Sequence, residues 1–203
     1  MSGKFVCRLL SLALMAVAGS VQAQVVISQV YGRGGNSGST YTNDFIELFN
    51  RGSTAVDLTG WSVQYASATG SSWTNKTPLT AIMLQPGQYY LIQEAAGTGG
   101  TTALPTPDAT GTIAMSASAG KVALVNNNTA LTGACPTDAS IQDFIGFGTT
   151  ANCNEGGANA PAPSAANADL RADAGCTDAN NNGTDFSAAA AAPRNTATAT
   201  NVC

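Results

Sequence analysis

The sequence predicts an all-β fold, a sandwich or barrel built from short strands. Three observations carry that expectation. Between Val25 and Gly148, short apolar runs are separated by clusters of turn residues. Several of these runs alternate with period two, the repeat of a half-buried strand. No segment of helical length carries an apolar stripe at i, i+3, i+4 and i+7.

The elements follow in order. Strands are expected over Val25–Tyr31 (VVISQVY), Asp44–Asn50 (DFIELFN), Gly60–Ala66 (GWSVQYA) and Ala81–Leu84 (AIML). Four more are expected over Tyr89–Gln93 (YYLIQ), Gly111–Met115 (GTIAM), Lys121–Val125 (KVALV) and Gln142–Phe147 (QDFIGF). In the second run Phe45, Glu47 and Phe49 face one way and Ile46 and Leu48 the other. In the third, Trp61, Val63 and Tyr65 are the inward positions. Turn residues divide the runs: Arg51-Gly52-Ser53, Gln85-Pro86-Gly87, Ser118-Ala119-Gly120 and Asn126-Asn127-Asn128. Asn50 and Asp57, on either side of the first of these turns, are suited to satisfying backbone groups.

The two ends have a different texture. Lys4 and Arg8 precede the apolar run Leu9–Ala18, and Val21-Gln22-Ala23 closes on small residues. This is the pattern of a secretory signal, so residues 1–23 are expected to be removed by cleavage after Ala23. The run is short for a bilayer span, and no membrane span is expected after cleavage. The protein is then secreted or periplasmic. From Thr149 to Val202 the only large apolar residues are Leu170, Phe186 and Val202. Such a segment cannot offset its own chain entropy by burial alone. The expected division is therefore a signal over 1–23, a β-sandwich over 24–148, and a loop-rich extension over 149–203 packed on the sandwich. The run Ala188–Ala192 is too short for a stable helix by itself.

Cysteines supply what the extension lacks. Cys135, Cys153, Cys176 and Cys203 remain after cleavage, an even number in an exported chain. Of the three possible pairings, the two local bridges Cys135–Cys153 and Cys176–Cys203 are favoured. The second would fasten the terminal residue itself. Zinc is the rival, but no Cys-x-x-Cys pair and no histidine is present.

Charge and composition exclude several function classes. The chain from Gln24 to Cys203 carries six basic residues against twelve acidic ones, a net charge of −6. Affinity for nucleic acid comes largely from cations on phosphate, so direct DNA binding is disfavoured. Without histidine the commonest general base is missing, and paired cysteines offer no thiolate. A carboxylate pair such as Glu47 with Asp57 could serve a small hydrolase, but one hairpin is not a cleft.

The stretch "TNDFIELFNRGSTAVDLTGWSVQY", Thr42 to Tyr65, resembles the lamin tail domain family, and more closely its exported bacterial form. The similar motifs are Ile27-Ser28-Gln29-Val30-Tyr31 ahead of a glycine-rich loop, Asp44 to Asn50, and Val56-Asp57-Leu58-Thr59-Gly60-Trp61. Pro86-Gly87-Gln88-Tyr89-Tyr90-Leu91 continues the resemblance, as do "DFIGFGTTANCNEG", "GCTDANNNGTDF" and "APRNT" near the end. The resemblance implies an immunoglobulin-like β-sandwich. It also implies an association with exported nucleases, which often carry such a domain ahead of a catalytic module. The sequence stops at Cys203 and is expected to lack that module.

Two loops invite a functional reading. "YGRGGNSGST", residues 31–40, has a phosphate-loop texture. Strands flank it on both sides, however, and Ser37 stands where a third glycine belongs. Gly32, Gly34, Gly35 and Gly38 are expected instead to supply positive φ angles for a wide loop, with Arg33 and Tyr41 as candidate ligand contacts. In "TDANNNGTDF", the oxygens of Asp178, Asn180 and Asn182 alternate as in the head of a calcium loop, with Gly183 at the turn and Asp185 beyond it. The closing glutamate is absent, with Ala189 in its place, so calcium is weighed against an Asn-rich turn. No other cofactor is expected. The sequence reads best as a secreted, non-catalytic binding or scaffolding module acting on an unknown extracellular protein or polymer. An accessory module that helps a separate nuclease engage DNA is the second reading, and the small hydrolase the third.

Overall fold

The computed structural model describes residues 23–203. The expected signal segment thus lies outside the described residues except for Ala23, whose carbonyl accepts from Nη1 of Arg51 at 3.3 Å. Twelve strands follow. They are β1 (Val25–Tyr31), β2 (Asn43–Asn50), β3 (Val56–Asp57), β4 (Ser62–Ser67), β5 (Asn75–Pro78) and β6 (Met83–Leu84). The rest are β7 (Tyr89–Ala96), β8 (Ala109–Thr110), β9 (Gly120–Val125), β10 (Ile141–Phe147), β11 (Asn167–Arg171) and β12 (Phe186–Ala190). Among the described residues, helical structure is limited to a 3-10 turn at Asp173–Gly175 and one turn, α1, at Asn182–Asp185.

The strands form a six-stranded sheet in the order β12-β11-β1-β2-β7-β8 and a four-stranded sheet in the order β10-β9-β4-β5. A small β3-β6 pair stands beside them. The main core is shared by the two large sheets, as in an immunoglobulin-like sandwich. Ile27, Val30, Ile46, Leu48 and Ile92 come from one, and Val63, Val122, Leu124, Ile145 and Phe147 from the other. Burial of each such side chain contributes about 1.5–3 kcal/mol. The alternation of β2 is realised: Ile46 and Leu48 enter this core. Phe45 joins Tyr31 and Leu91 in one satellite cluster, and Phe49 joins Val26 and Tyr89 in another.

Four expectations are corrected. Residues 111–115 are not a strand. Gly111 N still donates to the Gln93 carbonyl and the Ile113 carbonyl accepts from Ala95 N, but Ile113 N goes to Glu94 Oε2 and Met115 N to Asp44 Oδ2, so the ladder is not continued. Trp61 precedes β4 and packs against the core only in part, while Val63 and Tyr65 are buried. The fully buried tryptophan is Trp73, whose indole N–H donates to the Gly133 carbonyl at 2.9 Å. Gly35 and Gly38 have the expected positive φ, but Gly32 and Gly34 do not. Those two are small because a Cβ would strike the backbone of Ser116 or Asn43. Finally, the extension is not laid on a finished sandwich: β11 and β12 are two of the six strands of the larger sheet.

Disulfides join Cys135 to Cys153 and Cys176 to Cys203, with Cα–Cα distances of 5.2 and 5.5 Å. No helix among the described residues is long and apolar enough to cross a membrane.

Candidate functional site

Two polar assemblies are buried at the larger sheet. The first is centred on Arg171, at the end of β11. Its Nη2 lies 2.7 Å from Oδ2 of Asp143, and its Nε donates to the Ile27 carbonyl at 2.8 Å. Its Nη1 lies 3.4 Å from Asp178 and 3.6 Å from Asp185, and its guanidinium stacks on Phe186 at 4.5 Å. Asp143 also accepts from the Ile27 amide, so one carboxylate ties β10 to β1 across the sandwich edge. Burial pushes the Asp143 carboxyl up, and Arg171 opposes that shift. Glu155 is pushed up to about 8, first by burial and then by the Asp143 charge. Carboxylate oxygens of Asp143, Glu155 and Asp178 lie within 4.8 Å of one another.

This assembly contains much of the loop read as calcium-like. Asp178 bonds Arg171 and accepts from the Asn180 amide. Asp185 accepts from the amides of Ala179 and Asn181. Asn182 turns to β10, where its carbonyl oxygen accepts from Gly146 N and Glu155 N and its amide donates to the Phe144 carbonyl. The Asn182 side chain thus stands in for a neighbouring strand along the β10 edge. Asn180 has a positive φ of 52°, the conformation of a turn. Asp178 and Asp185 are therefore brought together around a guanidinium, while Asn182 is spent on β10.

The second assembly is on the outer face of the same sheet. Glu47, at 0% exposure, accepts from Ser28 Oγ at 2.5 Å and from Gln29 Nε2 at 2.9 Å. It also accepts from the amide of Arg194 at 2.7 Å and from its Nη2 at 2.7 Å. The Arg194 guanidinium carbon lies over the Tyr89 ring, 3.7 Å from its centroid. Asp57, by contrast, is exposed on β3 and accepts from the Thr59 amide. Asn50 plays the matching part on the other side of the turn, bonding the Thr54 and Leu84 carbonyls and the Gly52 amide.

The glycine-rich loop is bedded rather than open. Gly34 N donates to Asp44 Oδ1, so an amide suited to an anion is already engaged by a side chain of the fold. Gly99 N donates to the Gly35 carbonyl and Thr40 N to the Ala165 carbonyl. Tyr41 is half-buried, edge-on to Tyr31 and Phe45, each at 5.9 Å. Arg33 is half-buried, and its carbonyl accepts from the Asn36 amide. No local sequence signal marks the Glu47–Arg194 pair, whose partners are 147 residues apart.

Comparison with known proteins agrees with this architecture. A family model described as Lamin Tail Domain matches residues 18–137. The crystal structure of a DUF4876 family protein from Bacteroides thetaiotaomicron is similar, with a TM-score of 0.54 at 11% identity. That match covers 82% of this chain and 71% of the other, and bears on the fold alone. No curated protein sequence matches.

Proposed function

The chain belongs to the lamin tail domain family, and from that premise we propose that it is a secreted, non-catalytic binding or scaffolding module. One observation carries the reading: six of the seven buried carboxylates among the described residues, all but Asp169, are engaged by partners within the fold. Asp44 and Glu94 hold the amides of the 111–115 segment, and Glu47 holds Arg194. Asp143, Asp178 and Asp185 surround Arg171. A carboxylate fixed by such partners is poorly placed to exchange protons with a substrate. The family likeness supports a module of this coarse kind, with specificity in its surface rather than in a reactive centre.

The basic residues give the DNA reading little support. Arg171 is buried in the first assembly and Arg194 is paired with Glu47. Lys121 is fully buried, its Nζ donating to the carbonyls of Gly70 and Ala134 and to Asn152. Few cations remain for phosphate, and the net charge opposes contact. Export is supported by the two disulfides, which persist in oxidising compartments.

The experiment is a binding and turnover panel with purified residues 24–203. Saturable capture of an extracellular protein or wall polymer, without hydrolysis of glycosides, esters or DNA, is the expected result. Turnover that disappears in Glu47→Gln would overturn the reading in favour of a hydrolase. Duplex binding that weakens steeply with salt would favour the nuclease-accessory role.

A further inference from the structure

We propose that the outer face of the larger sheet is a peptide-binding groove for an extended, arginine-bearing segment, loaded in cis with the chain's own residues 192–198. The inference rests on the reading of this chain as a binding module and names the chemistry of its partner.

The groove is built by the sheet without help from the segment it holds. Ser28 and Gln29 of β1 fix both oxygens of Glu47 on β2. Tyr89 of β7 stands beside them, 2% exposed and stacked on Phe49 at 4.7 Å. A buried carboxylate beside an aromatic face is a socket for a planar cation. Arg194 fills it, with its side chain 23% exposed against 0% for Glu47. The socket therefore belongs to the rigid sheet, and its occupant to a terminal segment with no helix or strand of its own.

Around the socket the segment is held largely through its main chain. The Gln29 amide grips residue 192 from both sides: Nε2 donates to the Ala192 carbonyl at 2.7 Å, and Oε1 accepts from the Ala192 amide at 3.1 Å. Glu47 accepts the Arg194 amide, and Gln88 Nε2 donates to the Thr196 carbonyl at 3.1 Å. Asp108 accepts from both the amide and the hydroxyl of Thr196. Main-chain bonds of this kind accept many sequences, while the guanidinium socket selects one residue. Such a site takes an arginine-containing strand from another polypeptide whenever the cis segment lifts. The cis segment lowers the apparent affinity for that partner by the fraction of time it occupies the groove.

The test uses the full chain with Arg194→Ala, which empties the guanidinium socket while the main-chain bonds of residues 192 and 196 and the Cys176–Cys203 bridge stay in place. A fluorescent peptide of residues 190–198 is titrated into this variant, into the unmodified protein, and into R194A carrying Tyr89→Leu. Saturable binding at least about tenfold tighter to R194A than to the unmodified protein is expected, the signature of a cis competitor that has lost its hold on the socket. Adding Tyr89→Leu should abolish it. Ethylguanidinium should also raise the melting temperature of R194A more than ethylammonium at equal ionic strength. No peptide binding by folded R194A, or binding indifferent to Tyr89→Leu, would overturn the proposal. Should R194A not fold, the unmodified protein is titrated with excess peptide while the Arg194 Nε–H resonance is followed, and an unmoved resonance overturns it. Failure here would leave ligand capture at other surfaces intact, so it is distinct from failure of the binding-module reading itself.

Discussion

Nη2 of Arg171 lies 2.7 Å from Oδ2 of Asp143, and neither side chain is more than 2% exposed. The pair joins β11, contributed by the polar extension, to β10 of the opposite sheet. A buried ion pair of this kind yields little net stability over a well-packed apolar pair, yet breaking it strands a charge. Arg171→Met leaves Asp143 and Asp185 without their shared cation, while Asp178 keeps Arg51, whose Nη1 lies 3.6 Å from its Oδ2. A loss of about 3–5 kcal/mol in urea unfolding is expected. A loss below about 1 kcal/mol would mean that the cluster is compensated in some other way.

The Cys176–Cys203 bridge closes a loop of 27 residues, and the Cys135–Cys153 bridge one of 18. Loop-closure entropy gives each about 3 kcal/mol, in the chain-entropy account. Cys176→Ser with Cys203→Ser is expected to free residues 192–203 first, because their remaining hold is the Glu47 socket, side-chain bonds and the backbone bond from Asn201 N to the Gly87 carbonyl. Hydrogen exchange should then rise at the Arg194 and Thr196 amides before it rises in β1 or β2. Uniform loss of protection across the sheet would instead make the bridge a determinant of the whole fold.

The legible parts of this molecule were those fixed by local pattern. Phe45, Glu47 and Phe49 alternate with Ile46 and Leu48, and a pleated strand has only one way to sort them. Asn50 and Asp57 flank a turn whose amides are within their reach. What local pattern misses is set by distant partners. Residues 167–171 are too polar to read as a strand, and become one through the β1 ladder and the Arg171–Asp143 pair. Ile113 and Met115 look like strand residues until carboxylates 19 and 71 residues away claim their amides. Trp73 lies in a polar stretch, where a lone large aromatic was the only hint of a second core cluster. The acidic side chains of the 178–185 loop were legible as a group, but the arginine they surround was not.

Calcium tests how the charge of that group is balanced. Arg171 Nη1 is 3.4 Å from Asp178 and 3.6 Å from Asp185, and both the carbonyl oxygen and the amide of Asn182 are engaged with backbone groups and Glu155. A chelator is therefore expected to leave the melting temperature unchanged, and Asp178→Ala to lower it equally with and without calcium. A fall on chelation, reversed by calcium and missing in Asp178→Ala, would instead place an ion among these oxygens.

Asp169 gives the pH dependence a definite sign. It is fully buried on β11, neither oxygen has a hydrogen-bond partner among the described residues, and burial pushes its carboxyl up to about 8. An unfolded aspartate titrates near ~3.9, so between that value and about 8 the native state holds the extra proton. Its contribution to stability is complete below the unfolded value and is lost as pH rises through the folded one. The slope for one such group is about 1.4 kcal/mol per pH unit. Asp44 and Glu94, pushed up to about 7, and Glu155, pushed up to about 8, act in the same direction. The unmodified protein should therefore lose stability steadily as the pH rises from weakly acidic to weakly alkaline. Asp169→Asn stays neutral throughout, so it should match the unmodified protein at acid pH and exceed it increasingly as the pH climbs. Urea unfolding of the two proteins across that range is the measurement. Parallel curves would mean that Asp169 ionises in the folded protein as readily as in the unfolded chain.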